Sequence, residues 1–298
     1  VEGKDVVVQG YRTVTKKAAV ISEAKVDSKT IENRPNANVM NTVQGQLAGV
    51  NITASTGQPG AKSTVIIRGL GTITGNSDPL YVIDGFPSNS DSFRTINSND
   101  IESIAVLKDA AATAIYGARA ANGVIVVTTK KGKKGSMKVD LNVNTFVTQK
   151  PDFSKLNLLN ASQKVDFELS LASREDLTYR DGNGEISRIL KQANELGVYR
   201  SGGFSSLSPT TQNSINALRN NNTNWGDLLY RSAINKQYTL SLSGGGEKSD
   251  YYFSLGYYDE KGTTVGTGFK RYNVTLKNNY EITDKFKVGI SLFGSENK

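Results

Sequence analysis

The chain has 298 residues, with 36 Lys and Arg against 28 Asp and Glu and neither His nor Cys. Without imidazole or thiol there is no Ser-His-Asp triad, no Cys nucleophile, no disulfide and no His/Cys metal centre, so no cofactor or metal is expected. The net charge of +8 raises nucleic acid as a partner, but the densest basic run, Lys130, Lys131, Lys133 and Lys134, surrounds glycines and reads as a solvated junction, so none is expected.

In chain order, Asp5-Val6-Val7-Val8-Gln9 opens a short β-branched run followed by a polar stretch, an extended arm or an edge strand. Val39, Val43, Leu47 and Val50 recur at three- and four-residue steps, which predicts a helix over 36–50 capped by Asn36 or Asn38. Asn51 to Ala54 and Ser63 to Arg68 read as strands around a Gly57-Gln58-Pro59-Gly60 turn. Leu80 to Ile83 is a strand closed by an Asp84-Gly85 turn. Asn99 to Glu102 reads as a helix start, Ile104 to Lys108 as a strand, Ala110 to Tyr116 as a small helix and Gly123 to Thr129 as a strongly β-branched strand. Together these predict an α+β domain with a mixed sheet. The glycines at 69, 71 and 75 do not form a dinucleotide fingerprint, because the spacing is wrong and no βαβ crossover follows.

After Gly135 the pattern changes. Val139 to Val147, Tyr238 to Leu242, Tyr251 to Tyr257, Tyr272 to Tyr280 and Phe286 to Leu292 alternate apolar and polar residues, with aromatics near the strand ends. Small polar residues on the second face, with alternately tight and long connections, favour a transmembrane barrel over a soluble sandwich. The long stretch from 150 to 235 reads as a surface loop with helical segments at Ser162–Leu171 and Glu185–Leu196. No stretch reaches the ~18 to 20 apolar residues of a spanning helix, and no signal peptide is recognisable. Five strands cannot close a barrel, and one wide enough to hold a domain needs about 22. The chain is therefore expected to be the N-terminal part of a longer protein.

Several segments carry a family resemblance. Ile66-Ile67-Arg68-Gly69, Tyr81-Val82-Ile83-Asp84-Gly85, Ile101 to Asp109 and Tyr116 to Gly132 resemble the plug motifs of TonB-dependent outer-membrane transporters. The Arg119-Ala120-Ala121-Asn122-Gly123 form, Asn224-Trp225-Gly226-Asp227 and Leu240 to Gly245 resemble the SusC/RagA-type branch. The resemblance implies an α+β plug folded inside a transmembrane β-barrel of about 22 strands, of which about five are here. The implied organisation is an arm and linker at 1–34, a plug at 35–135, and first barrel strands at 136–298 with the long loop at 150–235. It implies a TonB box at Asp5, Val6, Val7, Val8 and Gln9, and structural or gating roles for Arg68, Gly69, Asp84, Gly85, Glu102, Tyr116, Gly117, Arg119, Asn122 and Gly123. Among these, Arg68, Asp84, Glu102 and Arg119 are candidates for buried ion pairs within the plug or against the wall.

The implied function is TonB-dependent import of a large nutrient, glycan or oligopeptide, across the outer membrane of a Gram-negative bacterium. The implied partners are TonB with its inner-membrane energising proteins, a SusD-like surface lipoprotein docked partly on the long loop, and the lipid bilayer. The alternative is a SusC-like structural subunit without active transport. A carboxylate-only glycosidase built on Asp84 and Glu102 is disfavoured, because both lie inside plug motifs. The Tyr251-Tyr252 and Tyr257-Tyr258 pairs are expected in an interfacial aromatic belt rather than on a sugar.

Overall fold

The computed structural model describes residues 6–9, 12–15, 23–32, 36, 38–54, 56–69, 77–108, 114–174 and 184–298. The chain divides into two compact units, one formed by Val1–Lys150 with Arg231–Lys298 and one by Pro151–Tyr230.

The first unit begins with β1 (Val6–Gln9), paired antiparallel with β2 (Arg12–Thr15) in a two-stranded sheet. Asp5 lies outside the described residues. A five-stranded mixed sheet follows, built from β3 (Glu23–Asp27), β6 (Leu80–Ile83), β7 (Phe86–Ser88), β8 (Ile101–Leu107) and β9 (Val124–Thr129) in the order β3-β8-β9-β6-β7. Among the described strands of this sheet only β6 and β9 run parallel. β4 (Val50–Ala54) and β5 (Ser63–Ile67) form a separate hairpin.

The β-branched run of β9 is explained by its place near the middle of this sheet, covered on both faces. Ile125 and Val127 join a core with Val39, Met40, Val43, Ile67 and Phe93. Val124 and Val126 face the opposite way, onto Tyr116 and Ala120.

Three helix expectations are corrected. The spacing from 36 to 50 gives only a four-residue helix, Val39–Thr42, capped by Asn38, whose side chain accepts the Met40 N–H at 3.1 Å. Gly45 and Gly49 take φ of 75° and 78°, which ends the helix, while Val39, Val43 and Leu47 stay buried on turns. Asn99 to Glu102 does not start a helix: Ser98–Asp100 is a single 3-10 turn feeding directly into β8. Residues 114–120 form 3-10 turns kinked at Gly117; the first part of the helix expected from Ala110 lies outside the described residues.

The second half of this unit is an antiparallel meander of β10 (Gly135–Thr148), β11 (Ala233–Gly245), β12 (Ser249–Lys261), β13 (Gly268–Thr283) and β14 (Phe286–Asn297). The alternation read in the sequence sorts its two faces. Leu141, Val143, Leu240, Leu255, Val274, Ile290 and Leu292 are exposed large apolar side chains. Gln237, Thr239, Ser254, Arg271, Thr275 and Lys277 are buried polar ones. This is the reverse of a soluble sheet and fits strands whose outer face meets lipid.

On the outer face Tyr238, Tyr257 and Tyr272 occupy one rung across three strands, with ring centroids 6.3 and 5.0 Å apart. Tyr280 lies eight residues along β13 from Tyr272. At ~3.4 Å per residue and a tilt of ~40° that is roughly 20 Å of height, close to the ~25 Å apolar band between aromatic girdles. The tyrosine pairs split. Tyr257 joins this ladder, whereas Tyr252 and Tyr258 are buried on the inner face.

The second unit replaces the expected loop with a helical body. Its longer helices are Ala161–Ser173, Glu185–Gln192, Leu196–Gly202 and Pro209–Arg219. Asn160 and Gln163 form a reciprocal capping box, and Ser208 caps the helix that Pro209 begins. Asn194, at φ 55°, breaks the segment expected to run on to Leu196. Ile186, Leu190 and Ile215 are fully buried in a core with Val165, Leu169, Ala172 and Leu207. Ile215→Ala is expected to cost the unit about 2 to 5 kcal/mol by leaving a cavity, measured as an earlier helical unfolding step by circular dichroism.

Candidate functional site

The inner polar face of the meander is where the two halves of the first unit meet. Asp84 and Gly85 are the two central residues of the β6–β7 hairpin, with φ of 50° and 91°. A two-residue hairpin turn with both φ values positive requires an Asp-Gly or Asn-Gly type of sequence. The turn aims the Asp84 carboxylate at the end of β9. There it accepts the Thr129 N–H at 2.9 Å and the Thr129 hydroxyl at 2.5 Å. Lys277, at the middle of β13 and 2% exposed, completes the cluster. Its Nζ lies 2.7 Å from Asp84 Oδ2 and also donates to Thr129 Oγ1.

A second group of bonds comes from residues 94–100. Asp100, 1% exposed, accepts the hydroxyls of Tyr252 and Thr275, each at 2.9 Å. Asn97 and Asn99 donate to Thr239 at 3.0 and 2.8 Å. Gln237 donates to Asn97 and to Ser98, each at 3.0 Å. Arg271, fully buried, donates to the Arg94 carbonyl at 2.9 Å and lies over the Tyr258 ring. Asn273 donates to the Thr95 carbonyl. The arrangement is a buried polar seam in which the sheet domain is bonded to β11, β12 and β13. Among the described residues no group of His, Cys, Asp and Glu is arranged to hold a metal.

The residues singled out in the sequence fall unevenly around this seam. Of the four charged ones, Asp84 enters a buried ion pair with the wall, and Arg68, Glu102 and Arg119 are exposed. Arg68 and Gly69 shape the end of β5 with φ of 61° and 97°. Tyr116 is buried against the sheet and Gly117 kinks the turns behind it. Asn122 donates to the Asp78 carbonyl at 3.3 Å. Gly123 has φ 90°, and a Cβ there would overlap the Ile67 side chain. Gly123→Ala is expected to cost roughly 2 kcal/mol or more, read as a lower midpoint of thermal unfolding.

As plug–wall contacts, the segment Asn97 to Asp100 and its wall partners Gln237, Thr239, Arg271, Thr275 and Lys277 were not singled out, and Tyr252 was expected in an interfacial belt. The available signal was the polar row Arg271, Asn273, Thr275 and Lys277 on the face opposite Tyr272, Val274 and Leu276.

Comparison with known proteins places this geometry. A family profile described as TonB-dependent Receptor Plug Domain matches residues 15–124. TonB-dependent receptor P26 of Formosa agariphila is 33% identical over 288 residues, covering 96% of this chain and 26% of that protein. TonB-dependent receptor SusC of Bacteroides thetaiotaomicron is 30% identical over 304 residues, covering 99% of this chain and 26% of that protein. The structure of the RagAB peptide importer in its open-open state superposes with a TM-score of 0.77 at 32% identity, covering 98% of this chain and 32% of that one.

The chain belongs to the TonB-dependent receptor family.

It spans about a quarter of the length of the curated receptors it matches. In receptor terms the sheet domain is the plug, and β10–β14 are strands of a barrel wall. The siderophore receptor PirA from Acinetobacter baumannii, with a TM-score of 0.52 at 17% identity, shares the fold. In this TonB-dependent receptor the seam therefore joins plug to barrel wall.

Proposed function

We propose that the receptor containing this chain imports a large polar nutrient, a glycan or an oligopeptide, across the outer membrane, with the plug gating the barrel. The observation that carries this reading is the seam itself: a folded domain held by polar bonds to the inner face of strands whose outer face is apolar. Bonds of this kind hold the plug in register on the wall without an apolar interface, so a part of the plug that moves away presents polar groups rather than apolar core to water. The likeness to SusC and to the RagAB peptide importer supports a solute of this class. Energy would reach the plug through the N-terminal arm, with Asp5 to Gln9 as the TonB box, and would come from the inner-membrane proton gradient. In the plug, Asp84 acts as the tie to the wall, while Gly69, Gly85, Gly117 and Gly123 hold turns.

The helical unit is assigned to the outer surface, where a SusD-like lipoprotein would cover it. Its exposed Leu158, Phe167, Trp225 and Leu228 support a covering partner. The test uses the full-length receptor in its own outer membrane, offered a size-graded panel of oligopeptides and oligosaccharides. Uptake that stops on adding a protonophore, together with co-purification of a surface lipoprotein, is the expected result. A receptor that takes up none of the panel would favour a structural subunit of an outer-membrane assembly.

A further inference from the structure

The plug meets the wall unevenly. Toward β12, β13 and the first part of β11 it is bonded through the buried seam described above. Toward β10 and the last part of β11 there is instead a polar gap of about 460 Å³. Glu102, Lys131 and Lys133 line it from the plug, and Lys138, Asp140 and Ser243 from the wall. The three lysines and two carboxylates among these are exposed, and among the described residues no ion pair crosses the gap. The ion pair beside it, Glu32 with Lys130 at 2.5 Å, lies wholly within the plug.

Two features make this flank the one that yields. The gap borders the seam at Asn99, Thr239 and Tyr252; widening it on the side away from that border, between Lys131 and Lys138, separates no bonded plug–wall pair among the described residues, whereas loosening the seam strips partners from buried Asp100, Thr239 and Lys277, which is the costly case. The second feature is connectivity. Among the described residues β3 is an edge strand paired with β8 alone, and the short helix that follows it, Ser28–Glu32, contributes Ser28 and Glu32 to the gap. A pull on the N-terminal arm therefore reaches this flank before any other part of the plug.

We infer that the imported solute passes along the β10–β11 flank of the plug, through this gap, while the β12–β13 flank stays bonded. This rests on the import reading above. The lining mixes ammonium, carboxylate and hydroxyl groups, so it suits a hydrated, polar oligomer and gives no foothold to an apolar one.

The chain contains no Cys, which makes single thiols clean reporters, with the unmodified full-length receptor as the blank. Ser243→Cys reports the gap and Ser254→Cys, at a position 1% exposed beneath the seam, reports the bonded flank. Both are nearly isosteric changes. A membrane-impermeant maleimide is added outside whole cells, with and without a protonophore. Labelling of Ser243→Cys only in energised cells, with Ser254→Cys protected in both states, is the expected result. Energised labelling at Ser254→Cys, alone or together with Ser243→Cys, overturns the route while leaving energy-coupled import standing. Labelling that ignores the protonophore at both positions removes the import reading and the route with it.

Discussion

Val7→Pro in the full-length receptor is expected to reduce nutrient uptake to the level of cells lacking TonB, while the receptor still reaches the outer membrane in normal amount. The residue lies in β1, opposite Val14 of β2. A two-stranded hairpin is marginal by itself in water, so this strand is free to pair with the sheet edge of a partner. Recognition by strand addition depends on main-chain bonds, and proline removes a donor and fixes φ in the strand that would supply them. Val7→Thr is the control. It keeps a β-branched side chain and every main-chain group, so uptake should be retained. Equal loss in both variants would show that side chains, not strand pairing, carry the contact. Undiminished uptake in both would remove the arm from the mechanism.

Asp84→Asn is expected to destabilise the plug by about 3 kcal/mol or more, because it leaves the Lys277 ammonium buried without its counter-charge. Asparagine is the informative choice. It tolerates the left-handed backbone of the hairpin turn, so the turn survives while the charge and one of the two acceptor oxygens are lost. Adding Lys277→Met should restore most of the loss, since replacing a buried pair by apolar or neutral groups of similar size is often close to neutral. The measurements are denaturant unfolding of the purified receptor and passage of vancomycin into whole cells, a solute too large for ordinary porins. Increased passage in Asp84→Asn and its reversal in the double variant are the expected pattern. Stability unchanged in the single variant would show that the Asp84–Lys277 contact does not hold the plug.

Much of this was legible in the sequence, and the parts that were not share a physical cause. The five alternating runs after Gly135 report their own two faces, because strand periodicity is local. The Asp84-Gly85 turn is equally local, since backbone with positive φ at two successive positions restricts the residues allowed. Helix length was misjudged at 36–50 because Val39, Val43 and Leu47 keep a helical spacing while Gly45 breaks the helix beneath them. Asn99 to Glu102 read as a helix start, and the bonds of Asn97, Asn99 and Asp100 to Thr239, Tyr252 and Thr275 join positions 140 to 175 residues apart. No local pattern carries that pairing. Lys277 was visible as a charge on an alternating strand, but its partner was fixed only when the plug docked.

The helical unit leaves and rejoins the wall at one place. Thr148 on β10 stands directly opposite Ala233 on β11, so the whole insertion hangs from a single rung, about 5 Å wide. A short linker can bridge that distance, and the register of both strands is set by the rungs below it. The insertion is thus separable cargo on a fixed mount. Exchanging it for the corresponding body of another receptor, or for an unrelated domain with neighbouring termini, should leave the register of β10 and β11 unchanged.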